Sequence, residues 1–195
     1  MEQDETTIIG DGGTHDEVRR AKKMFFAYRN GMLADRLRDA GDCHSVIFGL
    51  NIPQLVDIAN ELGQNAAVAR ELWHSGVNSR ECRLLAPMLF PPAEMGRDEA
   101  RQWVEGVENV EVADNMCHKL LRRLGCARGL VEEYAVAPSD LLRYTAFRLA
   151  MNLLCVDTAT ADWGWLLDAA KAEISRNCNL TQVLCNEIIE EISYR

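Results

Sequence analysis

From Asp16 onward the chain repeats one device: apolar residues three and four apart, then a Gly, Pro, Asn or Ser that stops the run. A run built this way hides one stripe of a helix and cannot send alternate side chains to the two faces of a strand. No window alternates apolar and polar residues between turn signals, so the pattern predicts an all-α chain. Asp16 and Glu17 predict the start of a long first helix reaching Arg38, with negative charge at its N-terminus and Gly41 to close it. Pro53 suits the first turn of a helix over Pro53–Leu62, and Gly63 is placed to end it. Asn65 is the expected cap of Ala66–His74, which stops at Ser75-Gly76. Ser79–Leu89 follows, ended by Pro91-Pro92.

The second half reads the same way. Asp98 opens Glu99–Glu108, and Val110–Leu124 carries a stripe of Val112, Met116, Leu120, Leu121 and Leu124. Ser139 begins Asp140–Cys155, with Leu142, Ala146, Leu149 and Leu153 on one side, and Thr160–Ile174 and Leu180–Ile192 complete the set. Starts near 65, 98, 127 and 160 recur every 29 to 33 residues, each unit being helix, short turn, helix. That spacing suits an α-solenoid of HEAT-like antiparallel pairs whose second helices line a concave side. On spacing alone, a globular bundle stays open. Residues 1–15 are acidic, Gly-rich and aperiodic, and are expected to form a flexible leader to a single helical-repeat domain over 16–195.

Composition narrows the classes. The longest apolar runs, such as Leu149 to Val156 broken by Asn152, are far too short to span a bilayer. The acidic N-terminus lacks a basic-then-apolar signal, so a cytoplasmic protein is expected. Seven cysteines at 43, 82, 117, 126, 155, 178 and 185, with no CxxC, do not make a disulfide framework. His118 follows Cys117 one turn beyond Asp114, but tetrahedral zinc needs ligands this segment lacks, and neither metal nor cofactor is expected. A net charge of −9 argues against a polyanionic partner. Its distribution tempers that, because residues 1–17 hold six acids and no Lys or Arg.

Three segments then carry a resemblance. Phe48-Gly49-Leu50-Asn51-Ile52-Pro53-Gln54-Leu55 is followed by Ile58-Ala59. Leu72-Trp73-His74-Ser75-Gly76 is followed by Glu81-Cys82-Arg83-Leu84-Leu85-Ala86. Trp103-Val104 is followed by Val112-Ala113-Asp114. In this order and spacing they resemble the HEAT-repeat alkylpurine DNA glycosylases of bacteria, the AlkD type, from about residue 46 to 193. The resemblance implies a DNA alkylation repair protein that binds double-stranded DNA in a concave groove and excises cationic N3- or N7-alkylated purines. By itself, each of Trp73, Glu81 and Arg83 reads as a packing residue.

Asp114 stands where the family has its catalytic aspartate. Alkylation leaves the purine cationic and ready to depart, and departure leaves an oxocarbenium-like sugar that one carboxylate can stabilise while orienting water. Read without the family, Asp114 is a solvated helix position behind Glu108 and Glu111. Two family features are changed: Val110 stands in place of an aromatic residue, and Asn186-Glu187 stands where the family has Asn-Trp. Lys119, Arg122, Arg123, Arg143 and Arg148, with Arg128 beside them, are the expected phosphate contacts, giving weak and salt-dependent binding. The changed positions keep a second reading open, a repeat scaffold that has lost its chemistry and binds a protein partner.

Overall fold

The computed structural model describes residues 12–156 and 163–194. Among these, eleven α-helices and two short 3-10 turns account for the regular structure, with one isolated backbone bridge between Val46 and Ser79. Among the described residues no helix is long and apolar enough to cross a membrane. The helices fall into two compact units, one ending at Phe90 and the other beginning at Pro91.

The first unit holds α1 (Gly12–Ala27), α2 (Gly31–Asp39), α3 (Ile52–Leu62), α4 (Ala66–Ser75) and α5 (Arg80–Leu89). Helix α1 already begins at Gly12, so the expected leader loses its last four residues to the helix, and 1–11 lie outside the described residues. The single helix expected up to Arg38 is two. Asn30 turns to an extended conformation, its side chain accepts the Leu33 N–H at 3.1 Å, and its own N–H is donated to the Phe48 carbonyl. An Asn that satisfies a free amide at the start of a helix favours a restart over continuation. Asn51 and Gln54 close a reciprocal cap on α3, Gly63 ends that helix at φ 74°, and Asn65 caps α4 through the Val68 N–H.

Helix α5 is the centre of this unit. Every residue of it except Met88 is buried, against α3 and α4. Glu81 on it is fully buried and accepts the N–H groups of Phe48, Gly49 and Leu50 at 2.9–3.2 Å, together with a guanidinium N–H of Arg80 at 3.1 Å. The backbone bends around that carboxylate at Gly49, where φ is 80°. A Cβ there would meet the Asn30 carbonyl oxygen at 2.2 Å, so only glycine fits. Arg83 lies 3.4 Å over the Trp73 ring and donates to the Trp73 carbonyl at 2.8 Å. All three motif residues are packing residues.

The second unit holds α6 (Arg97–Glu105), α7 (Val110–Lys119), α8 (Ala127–Tyr134), α9 (Asp140–Leu154), α10 (Gly164–Ile174) and α11 (Gln182–Ser193). Helix α6 is entered from Gly96 rather than opened by Asp98, and Gly106 follows its last residue. Asn109 caps α7 through the Val112 N–H at 2.9 Å. The helix breaks at Leu120, and the apolar stripe continues through the tight turn Leu121–Arg123 to Leu124. Ser139 caps α9 as expected, and α9 touches α6, α7, α8 and α11. The expected start at Thr160 lies outside the described residues.

Candidate functional site

Helix α9 packs against α7, and this packing brings Asp114 to Tyr144 and Arg148. The Tyr144 hydroxyl and the Arg148 Nε–H both donate to Oδ1 of Asp114 at 2.8 Å, and an Arg148 Nη–H donates to the Tyr144 oxygen at 3.0 Å. Oδ2 accepts no hydrogen bond among the described residues. The side chains of Asp114 and Arg148 are 41 % and 31 % exposed, so water and a ligand reach this carboxylate. Tyr144 is buried. Its burial, and then the neighbouring Asp114 charge, push its pKa up to about 12, although Arg148 pulls the other way. The phenol stays protonated and remains a donor.

One turn further along both helices, the exposed His118 lies near Asn152. Partial desolvation, followed by the charges of Arg122 and Lys119, holds the exposed His118 below the ordinary histidine range, so near neutral pH it is uncharged. Lys119 ends α7, and Arg122 and Arg123 stand on the tight turn after it. None of the three has a salt bridge among the described residues. This half of the expected basic set is available to a ligand.

The other half is rearranged. Arg128 pairs with Glu132 at 3.1 Å and lies over the Trp163 and Trp165 rings. Arg148 is engaged by Asp114. Arg143 is no phosphate contact, and this corrects the expectation from sequence. Its side chain is 4 % exposed and its Nε–H is shared by both oxygens of Glu173. The Nη groups donate to the carbonyls of Ala137 and Pro138 and to Asp140. The Thr181 hydroxyl donates to Glu173 at 2.8 Å and helps to satisfy that carboxylate. Arginine's fixed fork is matched by protein acceptors, so Arg143 is a structural residue.

Val110 opens α7 half-buried, and Glu187 is exposed on α11. The aromatic contact to Asp114 comes instead from Tyr144. Sequence reasoning did not set Tyr144 or Arg148 against Asp114. The signal was their separation of 30 and 34 residues, close to one repeat period. Sequence reasoning also missed Asp42, Cys43 and His44, whose donor atoms lie within 4.8 Å and could hold a metal ion. Two of those donors are engaged with each other, with His44 Nδ1 2.7 Å from Asp42 Oδ1.

Residues 21–195 match the family model for the DNA alkylation repair enzyme. The chain belongs to the DNA alkylation repair enzyme family. A search of curated proteins finds no match. A solved structure, described as one of "a new family of proteins related to the HEAT-like repeat DNA glycosylases with affinity for branched DNA structures", is similar in fold. Its TM-score is 0.77 at 14 % identity, covering 90 % of this chain and 75 % of the other. The helix pairs of this alkylation repair family member are thus of the HEAT-like repeat type, and the bundle left open by spacing alone is set aside.

Proposed function

We propose that this alkylation repair protein binds DNA and that Asp114 serves the excision of cationic N3- or N7-alkylated purines. The observation that carries the reading is a water-accessible carboxylate with one oxygen held by Tyr144 and Arg148 and the other open, beside three cations that have no salt bridge among the described residues. In the proposed reaction the bond from C1′ to the purine nitrogen breaks, and its electron pair neutralises the departing cationic base. Asp114 stabilises the positive sugar and takes the proton of the water that adds to C1′. Tyr144 and Arg148 act as positioning residues. A DNA phosphate competing for Arg148 would strengthen the charge on Asp114 as substrate binds. His118, uncharged near neutral pH, is a poor general acid, which confines the activity to lesions whose leaving group needs no proton.

Membership of the repair family and a fold shared with a protein that has affinity for branched DNA support DNA as the partner. With Arg143 withdrawn, four candidate phosphate contacts remain, for a log–log salt slope of roughly −3 to −4. The second reading, a catalytically lapsed scaffold for a protein partner, is favoured by Val110 and Glu187, which offer no ring to a cationic base.

Release of methylated base from a duplex carrying one 7-methylguanine, under single-turnover conditions, tests the choice. Asp114→Asn is expected to abolish excision with DNA affinity kept or slightly raised. Val110→Trp is expected to speed excision, because a cation–π interaction of about 0.5–2 kcal/mol corresponds to up to roughly thirtyfold in rate. Excision by Asp114→Asn equal to wild type removes Asp114 from the mechanism. No excision by wild type or Val110→Trp favours the scaffold.

A further inference from the structure

Helix α1 carries a second cationic surface, which the site on α7 and α9 does not use. Residues 12–39 hold seven Lys or Arg against four Asp or Glu, in a chain of net charge −9. Some of these cations are engaged: Arg20 pairs with Glu61 at 2.8 Å, Arg38 pairs with Asp35 at 2.8 Å, and Arg19 lies 3.5 Å from Asp16. Lys22, Lys23 and Arg29 have no salt bridge among the described residues.

Arg19, Lys22, Lys23 and Phe26 line a depression of about 550 Å³ beside α4, where Glu71 is the acid on its wall. Lys22 also borders a smaller cavity of about 230 Å³ with Ser75, Asn78 and Ser79. Phe26 is 58 % exposed, and the Arg29 guanidinium lies 4.0 Å over its ring. A phenyl ring kept in water on a cationic helix contributes nothing to the core of this unit. Backed by a guanidinium, it makes a platform on which another planar ring stacks, with cations beside it for the charges that join such rings together.

We infer that α1 binds an unpaired stretch of nucleic acid, a base stacking at Phe26 and phosphates taken by Lys22, Lys23 and Arg19. A blunt duplex keeps its base faces inside its own stack and would leave Phe26 unused. A run of Asp and Glu would engage the lysines but has no planar ring to stack on Phe26. The inference stands on the α1 surface and goes beyond the reading of Asp114.

Fluorescence anisotropy of the full chain with labelled oligothymidine, and with a blunt duplex of equal length, tests it. Phe26→Ala is expected to weaken oligothymidine binding about tenfold while changing duplex binding less than about twofold. Lys22→Gln together with Lys23→Gln should flatten the log–log salt slope by about 1.4, roughly 0.7 for each single-strand phosphate that is no longer neutralised. This inference is read on oligothymidine binding and the reading of Asp114 on release of methylated base, so the two proposals fail separately. No binding of oligothymidine by wild type at low salt overturns the inference, as does binding that the three α1 substitutions do not alter. Displacement by polyglutamate as readily as by unlabelled oligothymidine also overturns it and assigns the surface to an acidic polypeptide.

Discussion

Arg143 and Arg148 leave the same helix, and each meets a carboxylate from a neighbouring helix at 2.8–2.9 Å. Their surroundings differ. Glu173 and Arg143 are almost wholly buried, and every donor nitrogen of Arg143 has a protein acceptor, so the pair is a closed network. Asp114 and Arg148 are partly exposed, share one oxygen, and leave the other open. A buried ion pair is costly to break because the charge left behind stays out of water and loses its strongest compensation. A half-exposed pair can be exchanged for water or for a ligand's charge at little cost. The same chemical pairing thus serves as a fastening in one place and as a site in the other.

The largest effect should come from opening the closed network. Glu173→Gln is expected to lower unfolding stability by about 3–5 kcal/mol, because Arg143 loses its buried counter-charge and keeps only the exposed carboxylate of Asp140. Urea denaturation measures this, and a loss below about 1 kcal/mol would erase the distinction between the pairs. Arg148→Gln should cost less than about 1 kcal/mol in the same titration, since water replaces what the carboxylate loses. A cost near that of Glu173→Gln would make the Asp114 pair a second fastening and weaken its case as a site.

These two arginines also mark where the sequence was legible and where it was not. Lysines and arginines are visible as charge, so both entered the expected DNA-binding set. What separates them is a partner about one repeat away, Glu173 for one and Asp114 for the other, and no local pattern announces it. Helix limits set by a single local residue were readable, as at Asn65, Gly63 and Ser139. The break at Asn30 carried a readable Asn-Gly signal, but the apolar pattern runs straight through it, and the competing periodicity hid the cap. Asp114 became a candidate through its neighbours in sequence, by family resemblance. Tyr144, which replaces the missing ring as its aromatic contact, came from the fold alone.

An effect close in size to that of Arg148→Gln sharpens the comparison from the side of the half-exposed pair. Tyr144→Phe should cost about 0.5–1.5 kcal/mol, a single net hydrogen bond. Tyr134 and Tyr144 both have pKa values pushed up to about 12, chiefly by burial. An ultraviolet titration of the tyrosines should therefore show a late-ionising pair, and Tyr144→Phe should remove one member. Loss of an early step instead would mean that Tyr144 is not held by Asp114.

The smallest effect concerns His118. Its folded pKa lies below the value of about 6.5 expected of the unfolded chain. The unfolded chain therefore binds a proton first as the pH falls. The stability tied to an uncharged His118 is complete above about 6.5 and is lost as the pH drops toward the folded value. Proton NMR should find His118 titrating below the ordinary range, and Arg122→Gln with Lys119→Gln should move it part of the way back. No movement would leave burial as the sole cause.

Glu81 has a consequence for the order in which the molecule can be made. The amides of Phe48, Gly49 and Leu50 face a carboxylate that lies more than thirty residues ahead of them in the chain. During synthesis that bend emerges first, and its counterpart is still inside the ribosome. Until Glu81 arrives, the three amides have only water as an acceptor, and α5, the middle of the unit, is missing. The first ninety or so residues should therefore acquire resistance to protease in one step once α5 is released, as expected of domains that fold as units. A nascent chain cut short before Glu81 should remain cleavable throughout, however well its individual helices are capped.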